Sequence, residues 1–554
     1  MRILAFNTTH DSSVCSVKDG EIEFFCKEER LTRVKRDKNP FKSLQLYQSK
    51  NFGKIDHILY CTPSNRGGDT EFFYKEYIRK LFNINMENFS YLTHHLCHAS
   101  SAFYNSGFKK ALTFVIDRNG SIFFCNDIDA CREAESVFEC SYPDNLIPIY
   151  KNFFSNNSNN VDNIIIKNGF NKKYPGIETK VGNPYSIVKV YEAATTLIGQ
   201  NTLENGKTMG LSSYGRNKKY PALFLDNEPI INNFNSILNY RDEHDVVGFK
   251  DEEHMITDNV NIDNYQYYAD KAKHVQIETQ KQSLKLIKKY IQKTNIKNVC
   301  IVGGYGLNVV ANNYYIKNLP NVNFYFEPVA DDTGISIGAA YYAYRNLSKD
   351  KSIIRPKDNF YHYYEETKIK EGVPATINDI CKLLNNKKSV AIFEKNPEAG
   401  PRALGHRSIL FDARNKDCKK LVNTIKKREW YRPFAGVILK KYFKKYFNTL
   451  GLDESKDMTI NFECNKNTVN LVPGIVHVDK SCRIQTVDNG FLYDLLKEYY
   501  KLTKCPMLLN TSLNLAGEPL VHTKTEAVEL FKKSSLDAIY FVDEKKIIIK
   551  NEHN

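Results

Sequence analysis

Arg2-Ile3-Leu4-Ala5-Phe6 opens the chain as an apolar run, gives way to the polar turn Asn7-Thr8-Thr9-His10-Asp11-Ser12-Ser13, and resumes from Val14 to Val17. Asp19-Gly20 then leads into Glu21-Ile22-Glu23-Phe24-Phe25-Cys26, so the spacing predicts a meander with Asp-Gly as a hairpin signal. A similar unit recurs: Ala111-Leu112-Thr113-Phe114-Val115-Ile116, the turn Asp117-Arg118-Asn119-Gly120-Ser121, then Ile122-Phe123-Phe124-Cys125. Each copy reads strand, polar turn with an aspartate and hydroxyls, strand. The pair is read as one duplicated unit or as two unrelated hairpins.

Further along, residues 126–250 carry Asn-rich stretches such as Asn156-Asn157-Ser158-Asn159-Asn160 and read as loops around a helical segment near 185–200. Gln276 to Thr294 has helical spacing, and Asn298-Val299-Cys300-Ile301-Val302 reads as a buried strand. A helix follows Gly334 and runs to about Leu347; the charged stretch from Lys349 to Asn359, with Pro356, reads as a linker. Beyond it helices (376–386, 417–428, 490–502, 525–534) alternate with strands (389–394, 435–439, 470–476, 506–509, 538–541). The class is α/β, with domains at 1–350 and 361–554 joined by a linker at 351–360.

A chain of 554 residues is too long for a single core. At 42% hydrophobic residues, with no apolar run long enough to span a bilayer, it reads as globular and without a membrane partner. The N-terminus lacks a signal-peptide apolar region, and thirteen scattered cysteines form no Cys-x-x-Cys, so reduced thiols in the cytoplasm are expected. The net charge of +14 suits a phosphate-rich partner, and Lys440-Lys441-Tyr442-Phe443-Lys444-Lys445 interleaves lysines with aromatics. AT-rich codon usage is the competing explanation and takes the larger share. Oligomeric state is not legible.

His94 and His98 stand four apart in His94-His95-Leu96-Cys97-His98-Ala99-Ser100-Ser101-Ala102. On a helix that spacing puts both imidazoles on one face, able to grip one metal ion. A helix that merely carries three histidines is the plain alternative.

Four further segments fit one family. They are Gly303-Gly304-Tyr305-Gly306-Leu307-Asn308 with Asn312, Ala330-Asp331-Asp332-Thr333-Gly334-Ile335-Ser336-Ile337-Gly338, Gly400-Pro401-Arg402-Ala403-Leu404-Gly405-His406-Arg407-Ser408, and Asn510-Thr511-Ser512-Leu513-Asn514-Leu515-Ala516-Gly517. With His10-Asp11-Ser12, Glu28-Glu29-Arg30 and the histidine pair, the chain resembles the O-carbamoyltransferases related to nodulation, cephalosporin and tobramycin carbamoylation enzymes, over about residues 1–525. The resemblance implies an N-terminal duplicated domain of the actin and heat-shock-ATPase type, similar to the tRNA threonylcarbamoyl-transferring ATPases, with a metal and ATP. It implies a C-terminal YrdC-like domain that binds carbamoyl phosphate. In such enzymes carbamoyl phosphate is cleaved to carbamate, carbamate and ATP give carbamoyl adenylate, and the carbamoyl group passes to a hydroxyl with release of AMP.

The resemblance also implies site residues. Asp117 and Asp332 would join His94 and His98 around the metal, Fe2+ foremost, with Zn2+ or Mn2+ as alternatives; Mg2+ would accompany ATP. Gly303 and Gly304, between a strand and a helix, are placed to meet nucleotide phosphate, with Asn308 and Asn312; a tight turn alone would explain only the glycines. Lys207, in Glu204-Asn205-Gly206-Lys207-Thr208-Met209-Gly210-Leu211, is a phosphate counter-charge or a solvated lysine. His10 is a candidate general base and Lys35 a charge stabiliser, or a turn histidine and a surface lysine. Carbamoyl phosphate, a small dianion, would fall to Arg402, Arg407, Lys426, Arg428, Arg432, Asn510, Ser512 and Asn514, with internal Arg–Glu pairing claiming one or two of the arginines. The chain departs from the family at Arg118-Asn119, at Ser212-Ser213-Tyr214 and at Gly436; Arg118 is read as pointing at the acceptor. That acceptor is read as a hydroxymethylated base of DNA or a nucleotide, or else a sugar or antibiotic hydroxyl. N-carbamoylation of the tRNA-threonylcarbamoylation type and a non-catalytic nucleic-acid-binding protein are the other readings.

Overall fold

The computed structural model describes residues 1–62, 69–84, 88–124, 130–154, 173–182, 186–225, 228–230, 260–349, 352 and 361–550. Cys125, the Asn156–Asn160 run and nearly all of the 351–360 linker lie outside them. The chain forms two compact units, Met1–Glu23 with Lys38–Pro356, and Phe24–Asp37 with Lys357–Asn554. The division by sequence assigned 24–37 to the first domain; the contacts of this segment correct that. Within the second unit, the N–H of Tyr363 donates to Phe25 O (2.7 Å), the N–H of Lys27 donates to His362 Nδ1 (3.1 Å), and Arg33 donates to Leu520 O (2.6 Å).

Unit 1 holds two sheets built to one plan. The first comprises β1 (Arg2–Asn7), β2 (Ser13–Lys18), β3 (Glu21–Lys27), β4 (His57–Cys61) and β5 (Phe89–Tyr91), in the order β3-β2-β1-β4-β5. β1 runs antiparallel to β2 and parallel to β4, and β4 runs parallel to β5. The second has β6 (Lys110–Ile116), β7 (Ile122–Phe124), β8 (Ala130–Ser141), β9 (Asn145–Phe154) and β10 (Glu178–Gly182). A small pair, β11 (Phe224–Leu225) and β12 (Glu228–Pro229), stands apart, and β13 (Asn298–Val302) and β14 (Asn323–Phe326) return to the second sheet. Its core order is β9-β8-β6-β13-β14, again an antiparallel meander continued past its first strand by two parallel strands. The duplication expected from the two hairpins is therefore a duplication of whole sheets. The helix Ile335–Leu347 lies on the first sheet and His94–Ser106 on the second, and the two helices pack together. A Cβ on Gly338 would come within 1.8 Å of Cys97 O, so their backbones approach too closely for any side chain there.

Two expectations in this unit need correction. β8 and β9 occupy part of 126–250, read as loops; buried Glu133 and Lys151 pair within the two strands, and their charges mask the strand pattern. The second hairpin is also different: β6 pairs with β8, and β7 continues the same ladder against β8. Residues 117–121 thus interrupt a single run along β8, with the Gly120 N–H donating to Glu133 O (2.8 Å). The helix expected over 276–294 spans Tyr265–Thr294.

Unit 2 is one ten-stranded sheet with helices. Its strands are β15 (Val373–Pro374), β16 (Val390–Phe393), β17 (Arg407–Phe411), β18 (Ala435–Leu439), β19 (Phe447–Asn448), β20 (Asn461–Cys464), β21 (Ser481–Val487), β22 (Met507–Ser512), β23 (Ala538–Phe541) and β24 (Lys546–Ile549). They lie in the order β15-β24-β23-β16-β17-β22-β18-β21-β20-β19. Ala391, Phe393, Ile409, Leu513, Leu536 and Phe541 share its core. The strand expected at 470–476 is absent: Lys466–Leu471 is a short helix, and Gly474 then lies against Cys418 Sγ and Ala413 O. Twelve cysteines are described, and none of them is in a disulfide. Among the described residues no helix is long and apolar enough to cross a membrane.

Candidate metal centre and cation cluster

His94 begins its helix, Asp117 follows β6, and Asp332 opens the short turn before the helix Ile335–Leu347. These three positions and His98 converge. His94 Nε2 is 3.2 Å from Asp117 Oδ2, 3.4 Å from Asp332 Oδ1 and 3.2 Å from His98 Nε2; His98 Nε2 is 3.5 Å from Asp332 Oδ1. All four side chains are buried, and one donor atom from each lies within 4.8 Å of every other. Two imidazole nitrogens facing each other and two carboxylates, away from water, form a donor set that fits a divalent cation such as Fe, Zn or Mn. Burial opposes charge on His94, but Asp332 and Asp117 outweigh it and raise its pKa well above the usual imidazole range. Burial likewise disfavours the Asp332 carboxylate, yet His10, His94 and His98 hold its pKa well below the ordinary value.

The surroundings fix these ligands. Gly304 N–H donates to Asp117 Oδ1 (3.0 Å), and Gly303 has φ +86°, with Ile116 O only 2.5 Å from where a Cβ would stand. Ser121 Oγ accepts the His94 N–H (2.9 Å) and lies 2.8 Å from Tyr91 Oη. His10 sits beside the cluster, with Nδ1 2.6 Å from Asp11 Oδ2 and Nε2 3.7 Å from Asp332 Oδ2.

Several of the expected ligand residues also have partners inside the fold. Gly304 N–H serves Asp117. Asn308 caps the helix Val309–Asn318 by accepting from Ala311 N–H (3.1 Å) and exchanges bonds with Gln276. Asn312 is fully buried and donates to Gly306 O (2.8 Å). Lys207 pairs with Glu204 (2.8 Å), and Arg118 Nε lies 2.8 Å from buried Glu192, which ties Arg118 to the fold.

In unit 2, Arg407 is corrected from ligand to scaffold. Its guanidinium donates to the carbonyls of Glu394, His406, Lys395 and His522, and stacks 3.5 Å from the centre of the Phe393 ring. Burial lowers its pKa to about 9. Lys426 is buried and donates to Ser512 Oγ (3.1 Å), Asn514 O (3.0 Å) and Asn514 Oδ1 (2.9 Å); Ser512 and Asn514 thus aim a lysine. Asn510 donates to Ala403 O and Gln485 Oε1, leaving a buried Oδ1 with no hydrogen-bond partner among the described residues. Arg428 bonds Asn423 Oδ1 and Pro433 O, and Arg432 pairs with Glu429 at 3.4 Å.

These cations press on one another. Burial, then Arg428, Arg432 and Lys35, push the Lys426 pKa well below its ordinary value. Burial and Arg432 do the same to Arg428; burial, then Arg402 and Arg428, do the same to Arg483. Lys35 therefore stands with this cluster in the second unit. Arg483, on β21, was not singled out from sequence. It lies in Ser481-Cys482-Arg483-Ile484-Gln485, with neither glycine nor proline to mark it, and its buried Nε has no hydrogen-bond partner among the described residues. Like charges gathered around the buried Lys426 suit an anion.

A family model for the N-terminus of carbamoyltransferases matches residues 68–341, and one for their C-terminus matches 381–548. The chain therefore belongs to the carbamoyltransferase family and is a transferase enzyme. An uncharacterised protein of Methanocaldococcus jannaschii, MJ1051, is 28% identical over 97% of this chain and 98% of its own length. Nodulation protein NolNO of Sinorhizobium fredii is 24% identical over 96% of this chain and 78% of its own. The crystal structure of HypF from T. kodakarensis aligns with a TM-score of 0.39 and 13% identity, over 62% of this chain and 48% of that one.

Proposed function

We propose that this carbamoyltransferase takes its carbamoyl group from carbamoyl phosphate, activates it with ATP and delivers it to an acceptor hydroxyl. The observation that supports this best is the pairing of unlike sites in one chain: a buried two-histidine, two-aspartate cluster in unit 1 and a cluster of cations in unit 2, which is read as YrdC-like. Arg402, Lys426, Arg428, Arg432 and Arg483, with Lys35, would grip carbamoyl phosphate. Water cleaves it to carbamate and phosphate. A carbamate oxygen then attacks the α-phosphorus of ATP, pyrophosphate leaves, and carbamoyl adenylate forms. The acceptor hydroxyl attacks the carbamoyl carbon, AMP leaves, and the hydroxyl proton passes to a base, for which His10 is the candidate.

His94, His98, Asp117 and Asp332 would hold a divalent metal, Fe2+ foremost, whose positive charge would bind phosphate oxygens of the nucleotide. The Gly303-Gly304 turn and Lys207 are read beside that nucleotide. For the acceptor, the +14 charge is compatible with a hydroxymethylated base, and a sugar or antibiotic hydroxyl is the alternative. The test is carbamoyl-phosphate-dependent release of pyrophosphate from ATP, followed by mass spectrometry of candidate acceptors. Pyrophosphate release indifferent to carbamoyl phosphate would overturn the reaction; carbamoylation of a sugar but no base would overturn the acceptor.

A further inference from the structure

In unit 2, the outer side of the helix Cys418–Lys426 borders a cavity of about 590 Å3. Lys416, Lys420 and Lys427 line it, together with Asn423, Thr424 and Trp430. The three lysines are exposed, and none has an acidic partner at ion-pair distance among the described residues. Two lysines of the Lys440–Lys445 run behave differently: Lys440 pairs with Glu454 and Asp488, and Lys444 with Asp453. Asp417 is the one acid in the cavity lining, against five cations counting Lys419 and Arg428. Lys419 is tied to Val476 O and Arg428 to Asn423 and Pro433, so the lysines at 416, 420 and 427 remain to meet a ligand. Trp430, the sole tryptophan of the chain, is 41% exposed at the same cavity.

We propose that this groove binds a segment of single-stranded nucleic acid, with a base stacked on Trp430 and successive phosphates on Lys416, Lys420 and Lys427. Spacing decides between a strand and a single nucleotide. Lys416 and Lys427 lie just beyond the two ends of the helix Cys418–Lys426, whose length at helical rise is roughly 13 Å, longer than the phosphate chain of one nucleotide and suited to a backbone crossing the helix. An aromatic face beside a cationic track is the recurrent means of holding single strands, because every base offers a π-face whatever its sequence. The groove is argued from its own lining and does not depend on which hydroxyl accepts the carbamoyl group.

The full-length protein is titrated with an oligothymidylate while Trp430 fluorescence is read, so binding is followed apart from transfer. Quenching is expected, with affinity falling roughly twentyfold between about 50 and 200 mM salt, as three phosphate contacts on a single strand require. Lys416→Ala with Lys420→Ala removes two contacts, and the fall should shrink to roughly threefold, with the circular dichroism spectrum unchanged. Trp430→Ala should weaken binding of a labelled oligothymidylate about fivefold or more. Equal quenching by ATP or inorganic phosphate at matched concentration, tighter capture by anionic vesicles, or no response to the oligonucleotide would each overturn the proposal. Binding that persists without any carbamoyl transfer to nucleic acid would leave the groove standing and remove the base acceptor.

Discussion

Arg407 and Arg483 show how residues of one type divide between scaffold and site. Arg407 satisfies four buried carbonyls, so Arg407→Ala should destabilise the protein by about 3 kcal/mol or more, read as a lower denaturation midpoint in urea. Arg407 and Arg483 each keep a buried Nε without a hydrogen-bond partner among the described residues, but Arg483 stands among the like charges Arg402, Arg428 and Arg432. Arg483→Ala should leave stability within about 1 kcal/mol and raise the KM for carbamoyl phosphate at least tenfold. The reverse pattern, an unstable Arg483 variant and a stable Arg407 variant with poor carbamoyl phosphate use, would refute the division. At the other cluster, His94→Ala or His98→Ala should remove bound metal, measured by elemental analysis, while far-UV circular dichroism stays unchanged. Full metal content in both would dismiss these ligands.

Elements carry these side chains to their meeting points through contacts that tolerate little added volume. The helices His94–Ser106 and Ile335–Leu347 cross where Gly338 meets Cys97 O, and the second helix follows directly on Asp332. Gly338→Ala should push them apart, costing about 1–3 kcal/mol and lowering metal content together with stability. Normal metal loading at unchanged stability would show that the close crossing does not set the ligand geometry. Gly303 has the corresponding role for Asp117: its φ of +86° and the nearby Ile116 carbonyl leave no room for a side chain.

Across the molecule, the second unit contains an acid-sensitive pair. Burial, reinforced by Arg407 and Arg30, lowers the His522 pKa to about 3, and burial with Arg30 lowers that of His362, whose Nδ1 accepts the Lys27 N–H. Both are neutral when folded, and both take up a proton near their ordinary pKa when unfolded. The contribution of His522 is therefore complete above about pH 6.5 and declines as pH falls toward 3, by about 1.4 kcal/mol per pH unit, and that of His362 declines in the same direction. Denaturant unfolding at successive pH values should show this slope, and His522→Asn should reduce it; an unchanged slope would locate the acid sensitivity elsewhere. The two sites should also separate functionally. Arg402→Ala or Arg432→Ala should block carbamate formation yet transfer from supplied carbamoyl adenylate, and failure with that intermediate would reject the assigned division of labour.

The sequence alone determined what rests on local pattern. It showed the repeated apolar run and polar turn, the His94–His98 spacing, the alternation beyond residue 360, and the motif strings that place the chain among carbamoyltransferases, because these depend on neighbours within a few residues. Strands β8 and β9 escaped it because Glu133 and Lys151 put charges where a buried strand should be apolar, and only their pairing across the ladder neutralises them. The assignment of 24–37 to the second unit, the use of Gly304 and Asn308 inside the fold, and the split between Arg407 and Arg483 depended on partners mostly tens to hundreds of residues away. Glycine, asparagine and arginine look the same in sequence whether a ligand or a carbonyl receives their hydrogen bonds. Only the tertiary structure decides which, because burial obliges each polar group to take whatever partner the fold brings within reach.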